Sequence, residues 1–150
     1  MRDNKLRSLW AANKKAVNGW LAIPDSFAAE VMALQGYDTL TIDLQHGLID
    51  TRVLVPMLQA IQSTPTMPMV RVPWLEPGVI MKTLDAGAQA LICPMVNTRE
   101  EAQRLVQYAR YAPLGARSFG PVRAGLVHGA DYAEAANADT VVFAMIETAQ

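Results

Sequence analysis

The chain has 150 residues, 51% hydrophobic and 18% charged, with a formal net charge of -1. That balance predicts a soluble globular domain with a real core and excludes a disordered or fibrous chain. Without a long basic or acidic run it offers no electrostatic argument for nucleic acid or a membrane surface, and no apolar stretch approaches the roughly 18–20 residues of a spanning helix.

The opening segment, MRDNKLRSLWAANKK, alternates charge with apolar residues and lacks the continuous apolar run of a signal peptide. Leu6, Leu9, Trp10, Ala16 and Val17 fall at helical spacing, which predicts an amphipathic helix ending near Asn18-Gly19. A repeating theme follows: a short apolar run, polar or Gly/Pro punctuation, then a segment of helical period. The first run is WLAIP (20–24). Asp25-Ser26 can then cap a helix from Phe27 to Leu34, closed by Gln35-Gly36. TLTID (39–43) is the second run, and Asp50 can start the next helix, with Pro56 predicting a kink or late start.

PMVRVPW (68–74) is the third run; Glu76-Pro77 fits a first helical turn before VIMKTLDAG, which stops at a glycine. ALICPMV (90–96) is the fourth. Its lone Cys93 reads as a buried small hydrophobe, which points to a reducing, cytoplasmic setting. Asn97-Thr98 followed by Glu101 is a capping box opening EEAQRLVQYAR. Residues 113–130 are rich in Gly and Pro and read as a long functional loop with a short strand around Ser118-Phe119. TVVFAMIE (140–147) is the fifth run.

Five strands separated by helices imply parallel pairing with right-handed crossovers, and near-continuous apolar runs imply strands covered on both faces. A (β/α)8 barrel and an open doubly wound sheet both satisfy this. The absence of G-x-G-x-x-G after the first run, and of a P-loop anywhere, counts against nucleotide-binding open sheets. Asp43, His46, Arg71 and Glu147 lie at or just past the ends of different runs, and those ends converge on one mouth in a closed barrel. That convergence predicts an enzyme. A full barrel takes about 250 residues, so residues 1–150 are expected to form a single, incomplete barrel domain of about five βα units.

Asp43-Leu44-Gln45-His46-Gly47 is the sharpest local feature. An aspartate three residues before a histidine can accept from one ring nitrogen, leaving the other to exchange a proton near neutral pH. A structural histidine satisfied by its neighbour is the alternative. Arg71 inside an apolar run must be paired, with Asp43 or Asp85, or serve as an anion clamp. Glu147 suits a hard divalent cation or the cap of a following helix. His128 reads as a solvated loop residue, and Trp10, Trp20 and Trp74 as packing, with Trp74 able to line the mouth.

The segments TIDLQHGLID, MVRVPWLEPGVIMKTLDAGAQALICPMV, RSFGPVRA and MIET, with the opening NKLRSLW and GWL, resemble the HpcH/HpaI class II aldolase family over essentially the whole chain. The resemblance implies a pyruvate-kinase-like (β/α)8 barrel assembled as a homohexamer. It implies a divalent metal, Mg2+ or Mn2+ with Co2+ as a further candidate, chelated by pyruvate, with Glu147 as one protein ligand and an aspartate of a later strand end as the other. His46 falls on the catalytic base, Asp43 on its orienting partner, Arg71 on the pyruvate-binding arginine, and Asp85 on an aspartate that reaches a neighbouring subunit's site. Gln45, beside the substrate, stands where some members carry Glu. The implied reaction is reversible cleavage of a 4-hydroxy-2-oxo acid to pyruvate and an aldehyde, and no lysine at a strand end supports a Schiff base instead. Two alternatives stay open: an inert truncated barrel acting as a binding or assembly module, and a citrate-lyase-like lyase of CoA thioesters.

Overall fold

Each of the five apolar runs overlaps a strand, although the first and third strands begin ahead of their runs, at Asn18 and Met67, and the five strands pair in parallel in chain order. The computed structural model describes residues 4–149. The strands are β1 (Asn18–Leu21), β2 (Thr39–Asp43), β3 (Met67–Arg71), β4 (Ala90–Cys93) and β5 (Val141–Ala144). Sequential order with helical crossovers is the arrangement of a barrel wall, whereas a doubly wound sheet reverses its order at a switch point.

The helices form where local capping chemistry is strongest. Asp25 caps α2 (Ser26–Ala33), Asp50 caps α3 (Thr51–Gln62), and Glu76 caps α4 (Pro77–Asp85), the first carboxylate accepting one backbone N–H of the first turn and the other two accepting two each. Thr98 and Glu101 complete a reciprocal capping box at α5 (Arg99–Ala109). Gly36 and Gly87, at φ 87° and 106°, reverse the chain after α2 and α4, a conformation that glycine adopts without a Cβ penalty.

Four expectations are corrected. Helix α1 (Lys5–Ala11) stops well before Asn18-Gly19, which open β1. Asn13 turns left-handed at φ 54°, and the Asn13 and Lys14 N–H groups donate back to the Trp10 and Leu9 carbonyls, so a Schellman closure outweighs the apolar spacing of Ala16 and Val17. Helix α3 runs through Pro56 without interruption. The carbonyl that Pro56 leaves unpaired, four residues back, belongs to the exposed Arg52, where water can satisfy it. Residues 113–130 hold no strand at Ser118-Phe119 but do form α6 (Val122–His128), followed by α7 (Tyr132–Asp139), because Ala124, His128, Tyr132 and Ala136 bury a face that the local Gly/Pro content conceals.

Period-two alternation divides the sheet. Leu21, Leu40, Ile42, Val70, Leu91 and Cys93 face the helices, packing with Met57, Leu58, Ile61, Ile80, Leu84 and Leu105. Leu40 and Ile42 are fully buried there, each contributing about 1.5–3 kcal/mol. The opposite face carries Met67, Met69, Ala90, Ile92 and Val141, covered at one end by Leu6 of α1. The Asn4 side chain ties α1 to the Gln89 and Asp139 carbonyls at 3.1 Å each, so α1 lies at the amino ends of β4 and β5. No helix among the described residues is long and apolar enough to cross a membrane.

Candidate active site at the carboxyl ends of the strands

Asp43 and Arg71 close β2 and β3 as register partners, so their side chains leave the same face of adjacent strands. They meet as a fork: Arg71 Nε donates to Asp43 Oδ1 at 2.8 Å, and Nη2 to Oδ2 at 2.6 Å. From β1, Trp20 adds a third side. Its Nε1 donates to Asp43 Oδ2 at 3.2 Å, and the guanidinium carbon lies 4.9 Å from its ring centroid.

The Asp43 carboxylate also accepts the backbone N–H groups of Gln45, at 3.0 Å, and His46, at 3.3 Å. Burial alone pushes its pKa up. The donors from Arg71, Trp20, Gln45 and His46 outweigh burial and hold the carboxyl far below the usual carboxylate range. Arg71 is correspondingly held above its ordinary value by the Asp43 hydrogen bond, against burial, with further support from the charges of Asp43 and Glu147.

The expected contact from Asp43 to the His46 ring is corrected. Asp43 holds the histidine by its backbone N–H, and the residue itself is exposed. Both carboxylate oxygens are already occupied by the arginine fork, and the N–H groups two and three residues on are the donors an Asx turn presents. The loop is pinned on both sides. Leu44 N–H donates to the Arg71 carbonyl at 2.9 Å, and Leu48 N–H to the Ala22 carbonyl at 3.1 Å. A Cβ at position 47 would collide with the Asp43 carbonyl oxygen, so Gly47 permits the close return that presents His46.

Glu147, exposed just beyond β5, is aimed by the loop after β4. Its Oε2 accepts the Met95 N–H at 2.9 Å, and its own N–H donates to Asn97 Oδ1 at 3.2 Å. Met95 adopts φ 53°, a left-handed conformation that costs a non-glycine residue about 1–2 kcal/mol and turns its amide onto the carboxylate. Glu147 can supply one hard oxygen ligand to a divalent cation. Asp43 is committed to Arg71, and no group of three His, Cys, Asp or Glu is assembled among the described residues, so this chain fits one ligand position of such a site rather than a complete one.

The other sequence candidates divide. Gln45 sits in the same loop, with its amide oxygen buried and without a hydrogen-bond partner among the described residues. Asp85 is not brought to this cluster. It ends α4 in the helix layer and pairs with Arg117 Nη2 at 2.6 Å. His128 is corrected from a solvated loop residue to a buried one, its Nε2 3.1 Å from the Gly87 carbonyl oxygen and its ring stacked on Tyr132. Trp74 is exposed in the loop after β3, where a residue lining the mouth would sit. Sequence reasoning passed over Trp20 as packing. The parity of Trp20 with Asp43 and Arg71 on neighbouring strands was the signal that could have found it.

A family model described as HpcH/HpaI aldolase/citrate lyase matches residues 19–150. A hydroxypyruvate/pyruvate aldolase of Rhizorhabdus wittichii is 46% identical over 145 residues, covering 97% of this chain and 58% of that relative. The chain thus spans less than two thirds of the length of that aldolase. Among solved structures, an HpcH/HpaI aldolase/citrate lyase family protein from Burkholderia cenocepacia J2315 is 35% identical with a TM-score of 0.89, covering 97% of this chain and 60% of that one. The citrate synthase SbnG is 36% identical with a TM-score of 0.81, covering 97% of this chain and 56% of its own.

Proposed function

Because the chain belongs to the HpcH/HpaI aldolase/citrate lyase family, we propose that the protein is a carbon–carbon lyase of the pyruvate aldolase type, reversibly cleaving a 4-hydroxy-2-oxo acid to pyruvate and an aldehyde. The observation that carries this is the indole-backed Asp43–Arg71 fork at the strand ends, flanked by an exposed His46 and an exposed Glu147.

In cleavage, His46 accepts the proton of the substrate 4-hydroxyl, through a water, as the bond between C3 and C4 breaks. The electron pair of that bond moves toward the C2 carbonyl, whose oxygen gains negative charge beside the Arg71 guanidinium. Asp43 serves as the anchor that keeps Arg71 charged and the His46 loop in place. Glu147 would hold a divalent cation, Mg2+ or Mn2+, together with substrate oxygens and a ligand from outside these residues, and that cation would supply Lewis-acid polarisation of the pyruvyl carbonyl. Gln45 lines the substrate end.

The same reading closes the five-stranded wall into a (β/α)8 barrel, assembles it as a homohexamer in which Asp85 serves a neighbouring copy, and places it in the cytoplasm, where the buried thiol of Cys93 stays reduced. The likeness to a citrate synthase favours a second reading, in which the same oxyanion-stabilising fork serves a different condensation. The two separate in one assay. Pyruvate release from a 4-hydroxy-2-oxo acid, followed with lactate dehydrogenase, is expected with Mg2+ or Mn2+ and is expected to collapse after EDTA. No release with either metal, from protein that includes the outside ligand, sinks the aldolase reading, and full release after EDTA sinks the metal's part in it.

A further inference from the structure

Trp20 is 44% exposed, yet both of its recognition elements are committed to one ion pair. The indole N–H reaches the same Asp43 oxygen that accepts from Arg71 Nη2, and the ring lies under the guanidinium. Two parallel hydrogen bonds between carboxylate and guanidinium fix their separation and oppose twisting, but allow one plane to swing against the other like a hinge. A flat ring against the guanidinium stops that swing, and the N–H on Oδ2 stops the carboxylate from following it. Rings flank the buried Arg117 guanidinium too; what Trp20 adds is a donor to the carboxylate and a ring against the guanidinium of the same pair. Trp20 also borders a groove of about 520 Å³ on the sheet face opposite the helices, beside Met69, Ile92 and Phe143.

We propose that Trp20 is a positioning residue for the lyase reaction: it fixes the plane of Arg71 against Asp43, so that the guanidinium N–H groups Asp43 does not take stay aimed at the substrate oxygen that gains charge. This rests on the aldolase reading given above. Trp20 touches no reacting atom, and its effect passes through Arg71.

The test compares Trp20→Phe, which keeps a ring and loses the N–H, with Trp20→Leu, which loses both. Steady-state cleavage of a 4-hydroxy-2-oxo acid and the 15N-resolved Arg71 Nε–H resonance are read for each. In Trp20→Phe, kcat is expected to fall about threefold to tenfold with KM within about twofold. In Trp20→Leu, kcat/KM is expected to fall about thirtyfold or more, and the Nε–H resonance to broaden or exchange away, while Trp20→Phe retains it. An Nε–H resonance unchanged in both variants overturns the assignment, as does an equal loss of Tm in both with unmoved KM and kcat. Should Trp20→Leu fail to fold, Trp20→Phe decides through its KM-against-kcat split. Should the unsubstituted protein cleave no such acid, the aldolase reading falls, and the resonance alone still decides whether Trp20 positions Arg71.

Discussion

Two carboxylate–guanidinium pairs in this molecule close at the same 2.6 Å, and they do different things. Asp43–Arg71 sits at the ends of β2 and β3, bidentate, with an exposed histidine and an exposed carboxylate beside it. Asp85–Arg117 sits in the helix layer. The Arg117 side chain is fully buried, and its carbon lies 4.3 Å from the Tyr111 ring centroid and 5.8 Å from that of Tyr132. It gives Nη2 to Asp85 and to the Tyr132 hydroxyl, at 2.6 and 3.1 Å, while its Nε and Nη1 have no hydrogen-bond partner among the described residues. An ion pair is thus no signature of a site. Within this chain, what separates the two is the setting of the guanidinium: beside exposed groups that can meet a ligand in one case, and sealed from water among rings in the other.

The largest expected effect tests the buried side. Asp85→Ala strands a fully buried guanidinium and is expected to lower the unfolding free energy by about 3 kcal/mol in urea denaturation. A loss under about 1 kcal/mol would mean that the tyrosine rings and the Tyr132 hydroxyl suffice to hold Arg117, and the contrast between the two pairs would weaken. On the other side, Arg71→Lys keeps the charge and removes the fork. Cleavage of the 4-hydroxy-2-oxo acid is expected to lose about a hundredfold in kcat/KM, or about 2.7 kcal/mol. Unaltered kcat/KM would make Arg71 as structural as Arg117.

The smallest effect sharpens the comparison through pH. The native pKa of Asp43 is depressed, because the donors around it outweigh its burial. Its contribution to stability is therefore complete above the unfolded-state value, near 3.9, and is lost as pH falls through the native value. Urea midpoints taken from pH 6 downward should decline below about pH 4 in the parent, and less steeply in Asp43→Asn. Parallel declines in the two proteins would remove Asp43 from the acid response.

Much of the wall was legible because its signals are local. The carboxylate caps at Asp25, Asp50 and Glu76 and the capping box at Thr98 each lie within a few residues of what they satisfy. The parity that places Asp43 opposite Arg71 is likewise written into two short runs. What escaped depends on partners distant in sequence. Helix α6 and buried His128 are stabilised by Gly87, Tyr132 and the helix layer, which no window of 113–130 contains. Asp43 was assigned to the wrong atom of His46 because the competition of Arg71 and Trp20 for its oxygens arises only when three strands are side by side.

Cys93 ends β4, two residues before the amide that aims Glu147. Its thiol is buried and pushed up to about 11, mainly by that burial and secondarily by the charge of Glu101. At neutral pH almost none of it is thiolate, and none of it meets solvent while the sheet is intact. A thiol reagent can therefore react only during excursions in which β4 leaves its neighbours, so the rate of modification counts those excursions. Residues 1–150 thus carry their own stopwatch for the opening of the floor beneath Glu147, with no label to introduce and no second cysteine among them to confuse the reading.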